Sequence, residues 1–374
     1  MLESRWFRRA GPAVATLAAV AAVVVIASST LGAPARTWVP EACAGAPTMG
    51  SSTAGTWYRI HPALDAGALA GQRLTVGRAG DRGARQLDLD AESFAAGPVG
   101  GTILVGTDDG RHSRLSLIDV ARGCAWSVAE SVDVIRTATL GSDGATLFEY
   151  RVDRRTRADL GLWQRPLDGA TPPSRVLPPI VADARFGPTW LTDLVWSYDR
   201  RSLAVQSCGE LACRVRVLDP VIGEVQLVAD PDVGDLVGIA GDRLVAHGVC
   251  RGLPCPLVSV DLHDGSTTVL DHAAGQAVLS RDADGRPLVV HEVGAAGRTL
   301  RIVGLDGQHP AALDGDPDGR RLVGGPARSG GAAETAPDWI LFGPDGRLPI
   351  DGALRPVLRH VPDGRTVPLD EVSR

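Results

Sequence analysis

The chain contains no lysine; all 38 of its Lys-plus-Arg positions are arginine. That bias reads as a coding preference for Arg, Ala, Gly and Pro rather than a surface built for ion pairs. Aromatic residues are scarce too, at 4%, so Val, Leu and Ala must fill the core. Long helical periodicity is missing after residue 32, which argues against an α/β fold. Past the N-terminal arginines there is no basic cluster, and the formal charge is -6, which argues against nucleic acid as the main partner. A Gly-x-Ser-x-Gly elbow, a phosphate loop and a dinucleotide fingerprint are all missing, so no motif of hydrolase or nucleotide chemistry is carried.

What the chain has in quantity is turn residues, with 45 Gly and 26 Pro, the composition of many short strands. The stretch Leu194–Val205 reads as strand, tight polar turn, strand. Arg214–Asp219 and Glu224–Val228 follow as two further strands, making an up-and-down sheet of blade size. Similar hairpins recur, each marked by an Asp at its turn. The markers are Asp119, Asp168, Asp219, Asp261, Asp306 and Asp363, spaced by 49, 51, 42, 45 and 57 residues. A degenerate earlier copy runs from Leu74 to Leu89. Four-stranded repeats of this period are propeller blades. The expectation is an all-β fold, a β-propeller of seven four-stranded blades, with six or eight as alternatives. One blade cannot bury both its faces, so blades must pack on one another, and a closed ring leaves no end blade exposed.

Ahead of the repeats, Arg5, Arg8 and Arg9 flank an apolar run that starts near Ala13. A positive flank, an apolar middle and small residues to Ala35 make a signal peptide, or an uncleaved transmembrane helix, which Pro34 in the cleavage motif favours. The expected organisation is a basic cytoplasmic stub (1–10), an anchor or signal helix (11–32), a linker (33–55) and the propeller (56–374). The positive flank keeps the N-terminus in the cytoplasm and places the body outside, with the cell membrane as its location; cleavage would release it as a secreted protein.

The six cysteines agree with export, because their number is even. Cys208 and Cys213, like Cys250 and Cys255, bracket short turns between strand-like runs and are expected to pair. Cys43 and Cys124 pair by elimination. A zinc site built from the two short pairs is the lesser alternative, given the wide spacing and an oxidising compartment.

At Trp196-Ser197-Tyr198-Asp199-Arg200-Arg201-Ser202-Leu203-Ala204 the chain resembles the TolB-type propeller repeat, whose usual form is Trp-Ser-Pro-Asp-Gly before a Leu-Ala strand. Tyr198 replaces Pro and Arg200 replaces Gly. The resemblance extends at most over residues 100–310. It implies a periplasmic or surface propeller that binds other proteins, and it carries over no catalytic residues.

For chemistry, Asp314, Asp316 and Asp318 alternate around Gly315 and Pro317 and end on Gly319, a pattern that can wrap oxygen ligands around calcium. The distal acidic ligand is lacking, and an acidic inter-blade turn is the plainer reading. His291 and Glu292, with His247 or His263, are a second and weaker metal candidate. Asp183, Asp193 and Asp199 are candidates for lining a channel. Trp126, Trp163, Trp190, Trp196 and Trp339 read as blade packing rather than ring-stacking sites. No catalytic residue or cofactor site is assigned. The favoured function is a membrane-tethered, extracytoplasmic binding or scaffolding module for an envelope protein or polymer. The alternative is a secreted propeller enzyme, a lyase, lactonase or glycan hydrolase, with its site at the central channel. The oligomeric state is left open.

Overall fold

The computed structural model describes residues 38–368, except 46, 48–55, 66–67, 79–84, 90–92, 100, 170, 181–190, 198, 209–212, 222, 224, 229–232, 249–253, 283, 294–298, 308–310, 314–320, 325–332, 336–338, 344–356 and 362–364. The basic stub and the apolar run 11–32 lie outside the described residues. Among the described residues no helix is long and apolar enough to cross a membrane.

The described chain is strands and turns. β1 (Glu41–Ala42) comes first, inside the expected linker. β2 (Thr56–Asp65), β3 (Ala68–Arg78) and β4 (Arg85–Leu89) belong to sheet I. β5 (Phe94–Val99), β6 (Thr102–Asp108), β7 (Ser113–Asp119) and β8 (Cys124–Ser131) form sheet II. Sheet III holds β9 (Val134–Leu140), β10 (Thr146–Val152), β11 (Asp159–Pro166) and β12 (Ser174–Leu177). Sheet IV holds β13 (Leu191–Trp196), β14 (Leu203–Cys208), β15 (Cys213–Leu218) and β16 (Val225–Val228). Seven strands make sheet V: β17 (Val233–Ala240), β18 (Arg243–Gly248), β19 (Cys255–Asp261), β20 (Thr267–Arg281), β21 (Pro287–Val293), β22 (Leu300–Gly304) and β23 (Ala311–Leu313). β24 (Arg321–Gly324) opens sheet VI, β25 (Ala333–Thr335) leaves it, and β26 (Trp339–Gly343), β27 (Val357–His360) and β28 (Thr366–Pro368) complete it.

This is a propeller arrangement, but the expected seven separate blades are not found. Five sheets are blade-sized, and the remaining strands form the single sheet V. The cause is β20, which runs 15 residues without a break. Its first half pairs with β19 and its second half with β21, meeting at Ala274. The sequence there, Asp271-His-Ala-Ala-Gly-Gln276, has no Asp-Gly or Pro signal to end a strand. The register slips instead, between Ala274 and Ala277. The two halves nevertheless pack on each other across a shared core that includes Val237, Val245, Leu279 and Val289.

Closure comes from far along the chain. β25 adds to sheet I beside β2, with Trp57 opposite Thr335 and Arg59 opposite Ala333. Trp57–Ile60 is therefore part of the first sheet, and the closing strand is β25. On the other side, β1 adds in parallel to the outer strand of sheet II, Glu41 opposite Cys124. The Cys43–Cys124 disulfide fixes it there. Part of the expected linker is thus ordered.

Burial follows from the layering. Second strands are buried on both faces. β14 is buried at every position and β18 at all but its first. Third strands such as β7 alternate more. The Asp markers work through their carboxylates. Asp119, Asp219 and Asp261 each accept a backbone amide two or three residues on, and their carbonyls accept from Gly123, Gly223 and Gly265. Those glycines have φ of 73°, 73° and 72°, so a Gly four residues after the Asp ends the turn without strain.

The departure from the repeat at Arg200 is paid for locally. Arg200 adopts φ 58° where the usual motif has Gly. Its guanidinium lies 5.5 Å from the Trp196 ring centroid and donates to the Leu140 carbonyl of sheet III at 3.1 Å.

Candidate functional site

In an up-and-down blade successive strands reverse direction, so the ends of all second strands share one rim of the ring. On this rim the second strands end in polar residues: Asp108 on β6, Tyr150 and Arg151 on β10, Gln206 and Ser207 on β14, His247 on β18, and His291 and Glu292 on β21. Around the rim Asp108, Tyr150, Gln206 and Glu292 each bond to the next sheet.

Between sheets II and III, Arg154 clamps Asp108 with two hydrogen bonds of 2.8 and 2.7 Å and donates to the Val132 carbonyl. Ser113 also donates to Asp108. The Arg154 guanidinium holds the Asp108 carboxyl far below the usual carboxylate range. Between III and IV, Ser207 donates to the Tyr150 hydroxyl at 3.4 Å, and Tyr150 donates to Asp159. Burial first, then the Asp159 charge, pushes the Tyr150 phenol up, so it stays neutral. Between IV and V, Gln206 donates to the Gly234 carbonyl and accepts from Leu236. Between V and VI, the Glu292 carboxylate accepts the Leu322 amide at 2.8 Å.

Within sheet V, Asp271 from the crossing strand meets His291 Nε2 at 3.5 Å and Arg301 Nη1. His291 Nδ1 lies 3.0 Å from the Glu292 carbonyl. Burial pushes the His291 imidazole below its ordinary value, against the pull of that carbonyl and of Asp271. For Asp271, burial raises its pKa, but the Ala273 amide, His291 and Arg301 outweigh it and hold the carboxyl low.

One further charged group lies deeper in sheet III. Glu149 is fully buried and ion-paired to Arg151 and Arg165, and Arg151 stacks 4.7 Å from the Trp163 ring centroid.

Of the residues singled out in the sequence, His291 and Glu292 are at the rim, His291 facing Asp271 of β20 and Glu292 accepting the Leu322 amide of sheet VI. His247 sits on the corresponding end of β18. His263 is in the Asp261–Ser266 turn, on the opposite rim. Among the described residues no group of three His, Cys, Asp or Glu could hold a metal. Asp314, Asp316, Asp318 and Asp183 lie outside the described residues. Asp193 is on inner strand β13, half-buried. Asp199 is in the turn after β13, on the opposite rim, where it accepts from Ser197 and the Arg201 amide. Trp126 and Trp196 pack between strands and donate to Gly45 and Thr139. Trp190 lies outside the described residues. Cys208 and Cys213 are bonded on the same rim as Asp108. Cys255 is disulfide-bonded as well, and Cys250 lies outside the described residues. Asp271 and Arg301 were missed because they gain meaning only when β20 crosses between two halves of one sheet.

No family model matches the chain, and no curated protein matches its sequence. Among solved structures it is similar to a prolyl endopeptidase studied for inter-domain dynamics, at TM-score 0.55 and 16% identity over 86% of this chain and 49% of that one. It is also similar to a puromycin-hydrolyzing peptidase of Mycobacterium tuberculosis, at TM-score 0.53 and 13% identity over 90% and 56%. TolB of Acinetobacter baumannii matches at TM-score 0.47 and 12% identity over 79% and 69%. The chain spans about half the length of the two peptidases. At these identities the likeness is one of fold alone, an all-β propeller.

Proposed function

We propose that this propeller is an extracytoplasmic binding or scaffolding module, tethered by its N-terminal apolar run, that holds an envelope protein or polymer on the second-strand rim. One observation carries the reading. At that rim each seam from sheet II to sheet VI is tied by a side-chain hydrogen bond between neighbouring sheets. A rim fixed in this way presents its loops without paying ordering entropy on binding. The Cys208–Cys213 bond stiffens one rim loop further, and disulfides belong to oxidising compartments.

The test is chemical cross-linking in intact cells, followed by purification of the tagged full chain. Arg111 and Arg155 are exposed rim residues, and Arg122 is exposed on the opposite rim. An envelope component should be enriched with the wild type and with Arg122→Glu, and lost with Arg111→Glu/Arg155→Glu. Equal capture by both variants, or none by the wild type, refutes the reading.

A further inference from the structure

The seam between sheets III and IV contains a buried cation that the rim bonds do not satisfy. Arg216, on β15, has 8% of its surface exposed. Its Nη1 donates to the Pro178 carbonyl at 2.8 Å. Its Nε and Nη2 are buried and have no hydrogen-bond partner among the described residues. Those two N–H groups form the side-on edge of a guanidinium. They point the same way and are spaced for the two oxygens of one anion.

The surroundings do not close that edge. The Asp159 charge acts on Arg216, but its oxygens are engaged by the Tyr150 hydroxyl, the Ile180 amide and the Gly161 amide. The Ser207 and Tyr150 hydroxyls share the seam. Burial works against the charged form of Arg216. A buried guanidinium with an open fork is costly unless an anion completes it.

We propose that the side-on edge of Arg216 binds a carboxylate group of a ligand, with the Ser207 and Tyr150 hydroxyls beside it. A monoanion fits better than phosphate. It forms a neutral pair with Arg216, whereas a second negative charge would be buried beside Asp159. Among the described residues, the segment Pro178–Ile180 bonds to both sides of this edge, Pro178 accepting from Arg216 and Ile180 donating to Asp159. Opening those two bonds admits the ligand. The proposal goes beyond the scaffold reading and does not rest on it.

The arginine Nε–H resonances of the ¹⁵N-labelled full chain give a direct readout. The Arg216 signal is identified by its loss in Arg216→Lys. Acetate, glucuronate and N-acetyl-dialanine should each move that signal saturably, and the dialanine amide and inorganic phosphate should not. Preference for the dipeptide assigns the carboxylate to a chain end, and preference for glucuronate to an acidic sugar; either supports the site. By calorimetry, Arg216→Lys should weaken the preferred acid about tenfold, because the charge remains and the fork is lost. Ser207→Ala provides a second variant should the first fail to fold, with an expected weakening of about threefold. An Arg216 signal unmoved by any carboxylate up to ~50 mM, weaker than any specific site, overturns the proposal. So does equal movement by the amide or by phosphate.

Discussion

The seams on the two faces of sheet IV differ in kind. Toward sheet V, the core is Val195, Ala204, Val215, Val217, Ile239, Leu244 and their neighbours, all aliphatic. Toward sheet III, it contains Phe148, Tyr150 and Trp196, with Phe148 and Trp196 edge-to-face at 5.7 Å. One strand serves both: Ala204 of β14 faces the aliphatic side, and Leu203 and Val205 face the aromatic side. The aliphatic seam holds by buried area, with Gln206 bonded to Gly234 and Leu236 at its rim end. The aromatic seam brings hydroxyl and indole groups into the interior, and these require partners. Asp159, Ser207, Thr139 and Arg216 stand beside it for that reason. The lesson is that aromatic residues carrying a hydroxyl or an indole N–H bring polar partners into a seam.

The contrast can be broken by mutation. Trp196→Ala removes the edge-to-face pair, the Thr139 bond and the platform under Arg200; it should cost about 4 kcal/mol in urea unfolding. Ile239→Val in the aliphatic seam should cost about 1 kcal/mol. The reverse order would erase the distinction.

Next in size is Glu149→Ala, which leaves Arg151 and Arg165 without their buried carboxylate. It should cost about 3 kcal/mol, while Glu149→Ala with Arg151→Met should recover part of the loss. No recovery would mean that packing, not charge, sets the effect.

Acidification is a third probe, directed at the His291–Asp271 pair within sheet V, apart from both seams. The folded pKa of His291 is depressed below its unfolded value near 6.5, so the unfolded chain takes up its proton first. Its neutral form therefore stabilises the fold above about pH 6.5, and that contribution is lost as pH falls toward the folded value. Asp271, also lowered, contributes above about pH 4 and loses its contribution below that. The stability of His291→Gln should change less than that of the wild type between pH 7 and 5. An unchanged pH slope in the variant would remove His291 from the account.

The smallest effect concerns the exposed Arg73–Asp88 pair at 2.9 Å. Arg73→Ala should change stability by less than about 1 kcal/mol, measured by thermal unfolding.

Much of the architecture was legible because its cues are local. The four strands of sheet IV are read directly from alternation and turns, and the Asp-x-x-x-Gly turns at Asp119, Asp219 and Asp261 announce their own hydrogen bonds. The Cys43–Cys124 bond followed from parity. The blade count was not legible, because periodicity marks hairpins and does not say whether one strand ends before the next sheet starts. At Asp271–Gln276 it does not. The closing strand β25 was hidden for another reason: three residues of Ala-Glu-Thr in a Gly- and Ala-rich stretch resemble a surface loop. The site was least legible. His247, His291 and Glu292 stood out by type, but their partners Leu322, Asp271 and Arg301 are set by which sheets become neighbours. Arg216 gave no signal at all, being one of several arginines on alternating strands.

The central proposal is that this disulfide-stapled propeller works outside the cytoplasm. Its most direct test is the mass of the full chain, taken from the cell envelope without reduction and compared with the same sample after reduction. The account predicts a deficit of one hydrogen for each of the six cysteines. An identical mass before and after reduction would show free thiols and contradict it.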